Sequence, residues 1–168
     1  MATPLPNHPQ LLGNYAPIHF EAECTDLIVE GSLPEDLEGS LYRVGPNPMF
    51  VPDQGYHWFF GAGMVHAFQF AGGRVNYKNR WARTPKFEAE QAAGKPLPMS
   101  FVTDPETGAI QSDRRNGLAN THIIWHGDQL LALEEGSHPF SMAPDTLASI
   151  GYGHYGADLK DAMTAHPK

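Results

Sequence analysis

The chain has 168 residues, one domain by length, with 41% hydrophobic and 18% charged side chains and a formal charge of −8. Nineteen acidic against eleven basic residues repel a phosphate backbone, which excludes nucleic acid as the expected partner. A single cysteine, Cys24, leaves no internal disulfide and fits a reducing, cytoplasmic setting, and the sequence shows neither a signal-peptide pattern nor a transmembrane segment.

Seventeen glycines and fifteen prolines interrupt long helices and favour short elements joined by tight turns. Residues 1–13 are proline-rich and read as a flexible N-terminal segment, ahead of one domain over residues 14–168. Two short apolar stretches follow, Leu27–Val29 and Ser40–Val44, separated by proline and glycine. In "MVHAFQFAGGRVNYKNRWART", Val65, Ala67 and Gln69 alternate with His66, Phe68 and Phe70, and Gly72–Gly73 turns the chain into a second alternating run. This pattern predicts a β-hairpin. "FEAEQAAG" (Phe87–Gly94) is a short helix or an irregular excursion, and alanine and glutamate favour the helix. Val102–Gly117 reads as a turn-rich surface loop. "ANTHIIWHGDQLLALEE" predicts a second hairpin turning at Gly127–Asp128, and "MAPDTLASIGYG" a turn at Pro144–Asp145 before another short strand. The expected class is all-β. Propeller, barrel and sandwich all fit, and successive hairpins lean toward a propeller although no strict repeat is present.

Nine histidines are more than a small domain needs. None of their spacings matches a standard metal motif. His122 and His126 are four apart but in a predicted hairpin, and no glutamate follows His122, so the zinc-protease pattern is absent and both read as polar hairpin residues. His138 and His166 each precede a proline, which biases them toward extended backbone. That geometry can aim a ligand or end a strand, so on spacing alone His166 stays open between surface residue and metal ligand. "GAGMVH" lacks the lysine of a phosphate loop, and no serine sits in a nucleophile elbow. Glu134–Glu135 reads as a strand end reaching solvent. Arg43 serves a buried ion pair or a surface, with a structural role favoured, and Gly45–Pro48 is a rigid turn. Core packing is the expected job of at least two of Trp58, Phe59 and Phe60, and of Met64.

Several segments together resemble the N-terminal portion of the carotenoid cleavage oxygenases, a family that includes stilbene-cleaving and retinoid-isomerising members. They are "NYAPI", "LPEDLEGSLYRVGPNP", "YHWFFGAGMVHAFQF", "GRVNYKNRWART", "ANTHIIWHGDQLLALEE" and "AMTAHPK", in the family's order. The resemblance implies an incomplete N-terminal part of a seven-bladed β-propeller. It also implies Fe(2+) held by four histidines on the propeller axis. His166 falls on the first of these ligands, and the other three belong to later blades. The implied activity is that of a non-haem iron dioxygenase. Such an enzyme cleaves a carbon–carbon double bond of an apocarotenoid-like or stilbenoid substrate to two carbonyl products. The implied partners are a hydrophobic alkene and dioxygen. The 168 residues alone are expected to be inactive and to self-associate through unpaired strand edges. The chain departs from the family in two places. "FFGAGM" puts Phe60 and Ala62 where many members carry aspartates. The tyrosine and lysine that grip a phenol in stilbene-cleaving relatives fall near Phe101 and Glu134, which tilts the substrate toward an apocarotenoid. The rival reading is a non-catalytic β-rich binding or structural module.

Overall fold

The computed structural model describes residues 5–52, 55–97, 116–153 and 159–168. Phe101, the expected loop up to residue 115, and His154 lie outside the described residues. The chain builds two antiparallel four-stranded sheets. The first contains β1 (Glu23–Cys24), β2 (Gly39–Pro46), β3 (Gly63–Ala71) and β4 (Arg74–Trp81) in the order β1-β4-β3-β2. The second contains β5 (His122–His126), β6 (Gln129–Leu133), β7 (Phe140–Met142) and β8 (Ser149–Tyr152) in sequence order.

Both predicted hairpins form at the predicted turns. Ala71 pairs with Arg74 around Gly72 (φ 56°) and Gly73 (φ 72°), and His126 pairs with Gln129 around Gly127 (φ 56°) and Asp128 (φ 58°). Two successive left-handed residues match the right-handed twist of the flanking strands. Ser40–Val44 lies within β2, but Leu27–Val29 is not a strand. The pairing with β4 falls at Glu23–Cys24 instead, because Asp26 (φ 54°) bends the chain off that edge and hands its N–H to the Asn76 side chain at 2.8 Å.

The α-helix α1 (Pro85–Ala93) begins two residues before the expected segment. Thr84 caps it by accepting from the Phe87 N–H, Pro85 takes the first turn where no donor is needed, and Gly94 (φ 64°) ends it. Within the N-terminal segment read as flexible, Pro9–Leu11 forms a 3-10 turn and Leu11 is fully buried.

The alternation on β3 sorts its side chains as predicted. Val65 and Ala67 face the second sheet and share a core with Leu130, Ala132, Phe140, Met142 and Leu147. Met64, on the opposite face, is fully buried with Ala62, Trp81 and Phe87, which seats α1 against the first sheet. The aromatic run behaves otherwise. Trp58–Phe60 forms a 3-10 turn with no buried residue, and Phe59 and Phe60 are 65% and 41% exposed. The turn is capped by the His57 ring, and Phe59 stacks on half-buried Trp58 at 6.0 Å. Arg43 is exposed on β2 opposite His66, so it serves no buried ion pair.

Two buried asparagines hold the segment that precedes β1. The Asn47 side chain accepts from the Ile18 N–H and donates to the Ile18 carbonyl, both at 2.7 Å. Fully buried Asn79 accepts from the Ala22 N–H at 2.6 Å and donates to the Phe20 carbonyl at 3.0 Å. Each amide stands in for a missing strand partner, satisfying backbone groups that no ladder reaches. Asn79→Ala is expected to cost about 1–3 kcal/mol, the penalty for orphaning such groups, measured by urea unfolding. An unchanged midpoint would show that water replaces the amide.

His66 sits half-buried on β3 with its Nδ1 2.8 Å from the Tyr77 hydroxyl. Burial, and then the neighbouring Arg43 charge, hold its pKa below the ordinary 6.5. The unfolded chain therefore takes up this proton first. Stability is retained above about pH 6.5 and falls as pH drops toward the depressed folded value. His66→Gln should flatten that acid limb in a pH series of thermal unfolding, and an identical limb in both proteins would assign it to other groups.

Candidate metal centre

The C-terminal segment returns to the second sheet through one small apolar residue. Ala165 is fully buried against Leu131 and Leu133 of β6, with Ile124 and Met163 around it. Met163 donates its N–H to the Ser137 carbonyl at 3.2 Å, and His166 donates its N–H to Thr164 Oγ1 at 3.2 Å. Pro167 disfavours a helical backbone at His166. The His166 ring stands beside that of His122, with centroids 6.4 Å apart, and its Nε2 lies 3.4 Å from Glu135 Oε1.

The hairpin register explains this grouping. A two-residue turn at Gly127–Asp128 places His122 opposite Leu133, so the start of β5 and the end of β6, with Glu135 just beyond, share one end of the sheet. His126 sits at the other end, beside the turn, and not across it. At the rise of an extended strand it is roughly 13 Å from His122, too far to share an ion. Sequence spacing along the chain hid the grouping, whereas register counting from the turn would have found His122 and Glu135.

Among the described residues, no three histidine, cysteine, aspartate or glutamate side chains group closely enough to hold a metal ion. The exposed His166 ring could fill one position of a larger ligand set. Its side chain is 66% exposed and Glu135's is 67%, and such a pair is worth only about 0–1 kcal/mol. A metal–imidazole bond readily displaces it.

Adjacent Glu134, expected at solvent, is only partly exposed. Its half-buried carboxylate accepts hydrogen bonds from the Ser137 hydroxyl and from the Gly136 and Leu118 N–H groups. Burial raises its pKa, with a smaller push from the Glu135 charge, and the hydrogen bonds pull it partly back. The fit is close: a Cβ on Gly117 would lie 2.1 Å from Ser137 Oγ and 2.6 Å from Glu134 Oε1. The carboxylate is thus turned into the protein.

The "FFGAGM" and "LAN" segments interlock nearby. Asn120 Nδ2 donates to the Phe59 and Gly61 carbonyls at 2.8 and 2.7 Å, and the Gly63 N–H donates to the Leu118 carbonyl at 2.9 Å. Buried Ala62 needs no partner for its side chain, and its carbonyl takes the Asn47 N–H at 2.7 Å. A cavity of about 210 Å³ under this turn is lined by Met49, Tyr56, Phe60, Lys86 and Glu90, and by none of His122, Glu135 or His166. Burial pushes the Tyr56 hydroxyl up to about 12, so it stays protonated at neutral pH.

These features define a class: a β-sheet protein with two packed antiparallel sheets and a histidine–carboxylate cluster at one sheet end. The family model described as Retinal pigment epithelial membrane protein matches residues 15–168. The chain belongs to the carotenoid cleavage oxygenase family. It is 40% identical to isoeugenol monooxygenase of Pseudomonas putida, over 100% of this chain and 35% of that protein. It is 34% identical to carotenoid 9,10(9',10')-cleavage dioxygenase 1 of Pisum sativum, over 98% of this chain and 34% of that protein. The fold superposes on lignostilbene dioxygenase of Pseudomonas brassicacearum with a TM-score of 0.85 at 36% identity, covering 99% of this chain and 35% of that one. It also superposes on cobalt-substituted ACO, the apocarotenoid oxygenase of Synechocystis, with a TM-score of 0.73 at 36% identity, covering 90% and 33%. The chain therefore spans about a third of the length of the curated relatives it matches. No helix among the described residues is long and apolar enough to cross a membrane.

Proposed function

We propose that this chain forms part of an iron-dependent oxygenase that cleaves a carbon–carbon double bond of an apolar conjugated alkene. Both atoms of dioxygen end in the products, one on each former alkene carbon, giving two carbonyl compounds and no leaving group. The observation that carries the reading is the placement of His166. It is exposed at a sheet end and anchored by buried Ala165, in a chain whose relatives include proteins named carotenoid cleavage dioxygenase and resveratrol cleavage oxygenase. The metal-substituted form of one structural relative supports a metal in the reaction. When bound, Fe(2+) would supply the activation of dioxygen.

His166 would hold the iron through a ring nitrogen and would not serve as a base. Ala165 and the Met163 N–H fix where that ring stands. The remaining ligands belong to the other blades of a seven-bladed propeller, so turnover needs more than the residues described. The alkene is apocarotenoid-like or stilbenoid. The inward carboxylate of Glu134 offers no cation to a phenol, which favours the apocarotenoid.

The test uses the longer protein that contains this chain. His166→Ala should lower ferrous iron affinity by more than about 100-fold, beyond the 10–100-fold cost of losing an outer-sphere partner. Aldehyde or ketone formation from a panel of apocarotenoids and stilbenoids should fall with it. Normal iron stoichiometry and turnover in that variant would sink the ligand assignment. Iron-loaded wild type that makes no carbonyl product from any alkene would sink the reaction.

A further inference from the structure

We propose that Glu134 is a positioning residue: its carboxylate clamps the Gly136–His138 turn to Leu118 and so sets where His166 stands. The inference rests on the reading of His166 as a ligand. The chain of contacts is short. The Glu134 carboxylate gathers the Ser137 hydroxyl and the Gly136 and Leu118 N–H groups. Ser137 is 2% exposed, and its carbonyl receives the Met163 N–H at 3.2 Å. Among the described residues, that bond ties the backbone of the 159–168 segment to the sheet. Met163 lies three residues before His166, and Ala165 between them is plugged against Leu131 and Leu133 on the strand that Glu134 terminates.

The other end of the clamp is rigid as well. Leu118 gives its carbonyl to the Gly63 N–H at 2.9 Å, and the Thr121 N–H reaches the Leu133 carbonyl at 3.0 Å. The clamp thus spans the first sheet, the end of β6 and the turn that carries Met163. Three donors converge on two carboxylate oxygens, which a glutamine, with one acceptor oxygen, reproduces in part. The Ser137 hydroxyl is shared with the His138 carbonyl at 3.1 Å, so losing the carboxylate leaves it that partner alone and releases the turn from Leu118.

The experiment uses the longer protein with Glu134→Ala, Glu134→Gln and the control His166→Ala. Hydrogen–deuterium exchange is read at the Met163 amide, and ferrous iron affinity by metal titration. Glu134→Ala should speed Met163 exchange at least about tenfold and weaken iron about 10–100-fold, with Glu134→Gln between it and wild type. If the alanine variant does not fold, the glutamine variant carries the same comparison. Wild-type exchange at Met163 in the glutamate variants would show that the clamp holds nothing. Faster exchange with unchanged iron affinity would show that the clamp holds the segment but does not place the ligand. Iron retained by His166→Ala would overturn the ligand reading by itself, and the clamp would then stand or fall on exchange alone.

Discussion

Gly63→Ala should give no stably folded protein. A Cβ at this position would lie 2.0 Å from the Ala119 carbonyl oxygen, 2.7 Å from its carbon and 2.9 Å from the Leu118 oxygen. All three are backbone atoms, so no rotamer change relieves the collision. Gly63 is also held from both sides, since its N–H donates to Leu118 and its carbonyl accepts from Ala82 at 2.8 Å. Ala119 already occupies the left-handed region (φ 51°), which leaves it little freedom to retreat. Overpacking of side chains costs about 1–3 kcal/mol, and a backbone collision at the join of two sheets should exceed about 3 kcal/mol. Gly72→Ala is the matched control. It too is a glycine on β3's hairpin, at φ 56°, but a Cβ there meets nothing, so the cost should stay near 1 kcal/mol. Soluble yield and thermal unfolding would separate the two. Equal melting temperatures for both variants would mean that the Ala119 segment is not seated against Gly63.

Lys86→Met should destabilise the protein by about 3–5 kcal/mol, the cost of stranding a buried charge. Lys86 and Glu90 form an i,i+4 ion pair on the inner side of α1, with side chains 5% and 7% exposed. Glu90 Oε1 also accepts the Leu97 N–H at 3.0 Å, so the carboxylate oxygen paired with Lys86 has a second duty. The informative companion is Lys86→Met with Glu90→Gln. This double variant removes both charges and keeps an acceptor for Leu97, so it should recover most of the loss. Glu90→Leu in place of Glu90→Gln should recover less, by about 1–3 kcal/mol, because the Leu97 N–H is left unpaired. Urea unfolding of the set, with Glu90→Gln alone added, forms a double-mutant cycle. A single variant that loses less than about 1 kcal/mol would show that Glu90 finds water or protonates when Lys86 is gone.

The features legible along the chain are local. Both hairpin turns were legible because left-handed backbone is chosen by the two turn residues, Gly72–Gly73 and Gly127–Asp128. Burial of Val65 and Ala67 on one face of β3, and of Met64 on the other, followed from a period of two. The α1 helix was readable from its alanines and glutamates, though its start waited on the Thr84–Pro85 cap. Membership in the family was legible in the ordered motifs, since each is a stretch of neighbouring residues. The tertiary structure decided everything that depends on partners far along the chain. The 18–22 segment is held by side chains 29 and 57 residues away, so its strand falls at Glu23–Cys24 and not at Leu27–Val29. Trp58–Phe60 has the composition of a core, yet none of its rings is buried: Phe59 and Phe60 are exposed and Trp58 is half-buried, edge-on to Tyr15. Glu134 and Glu135 are neighbours of the same type with opposite fates. One is drawn inward by donors from Leu118, Gly136 and Ser137, and the other is left to His166. No pattern along the chain separates them, because only packing determines which carboxylate meets buried N–H groups and which meets water.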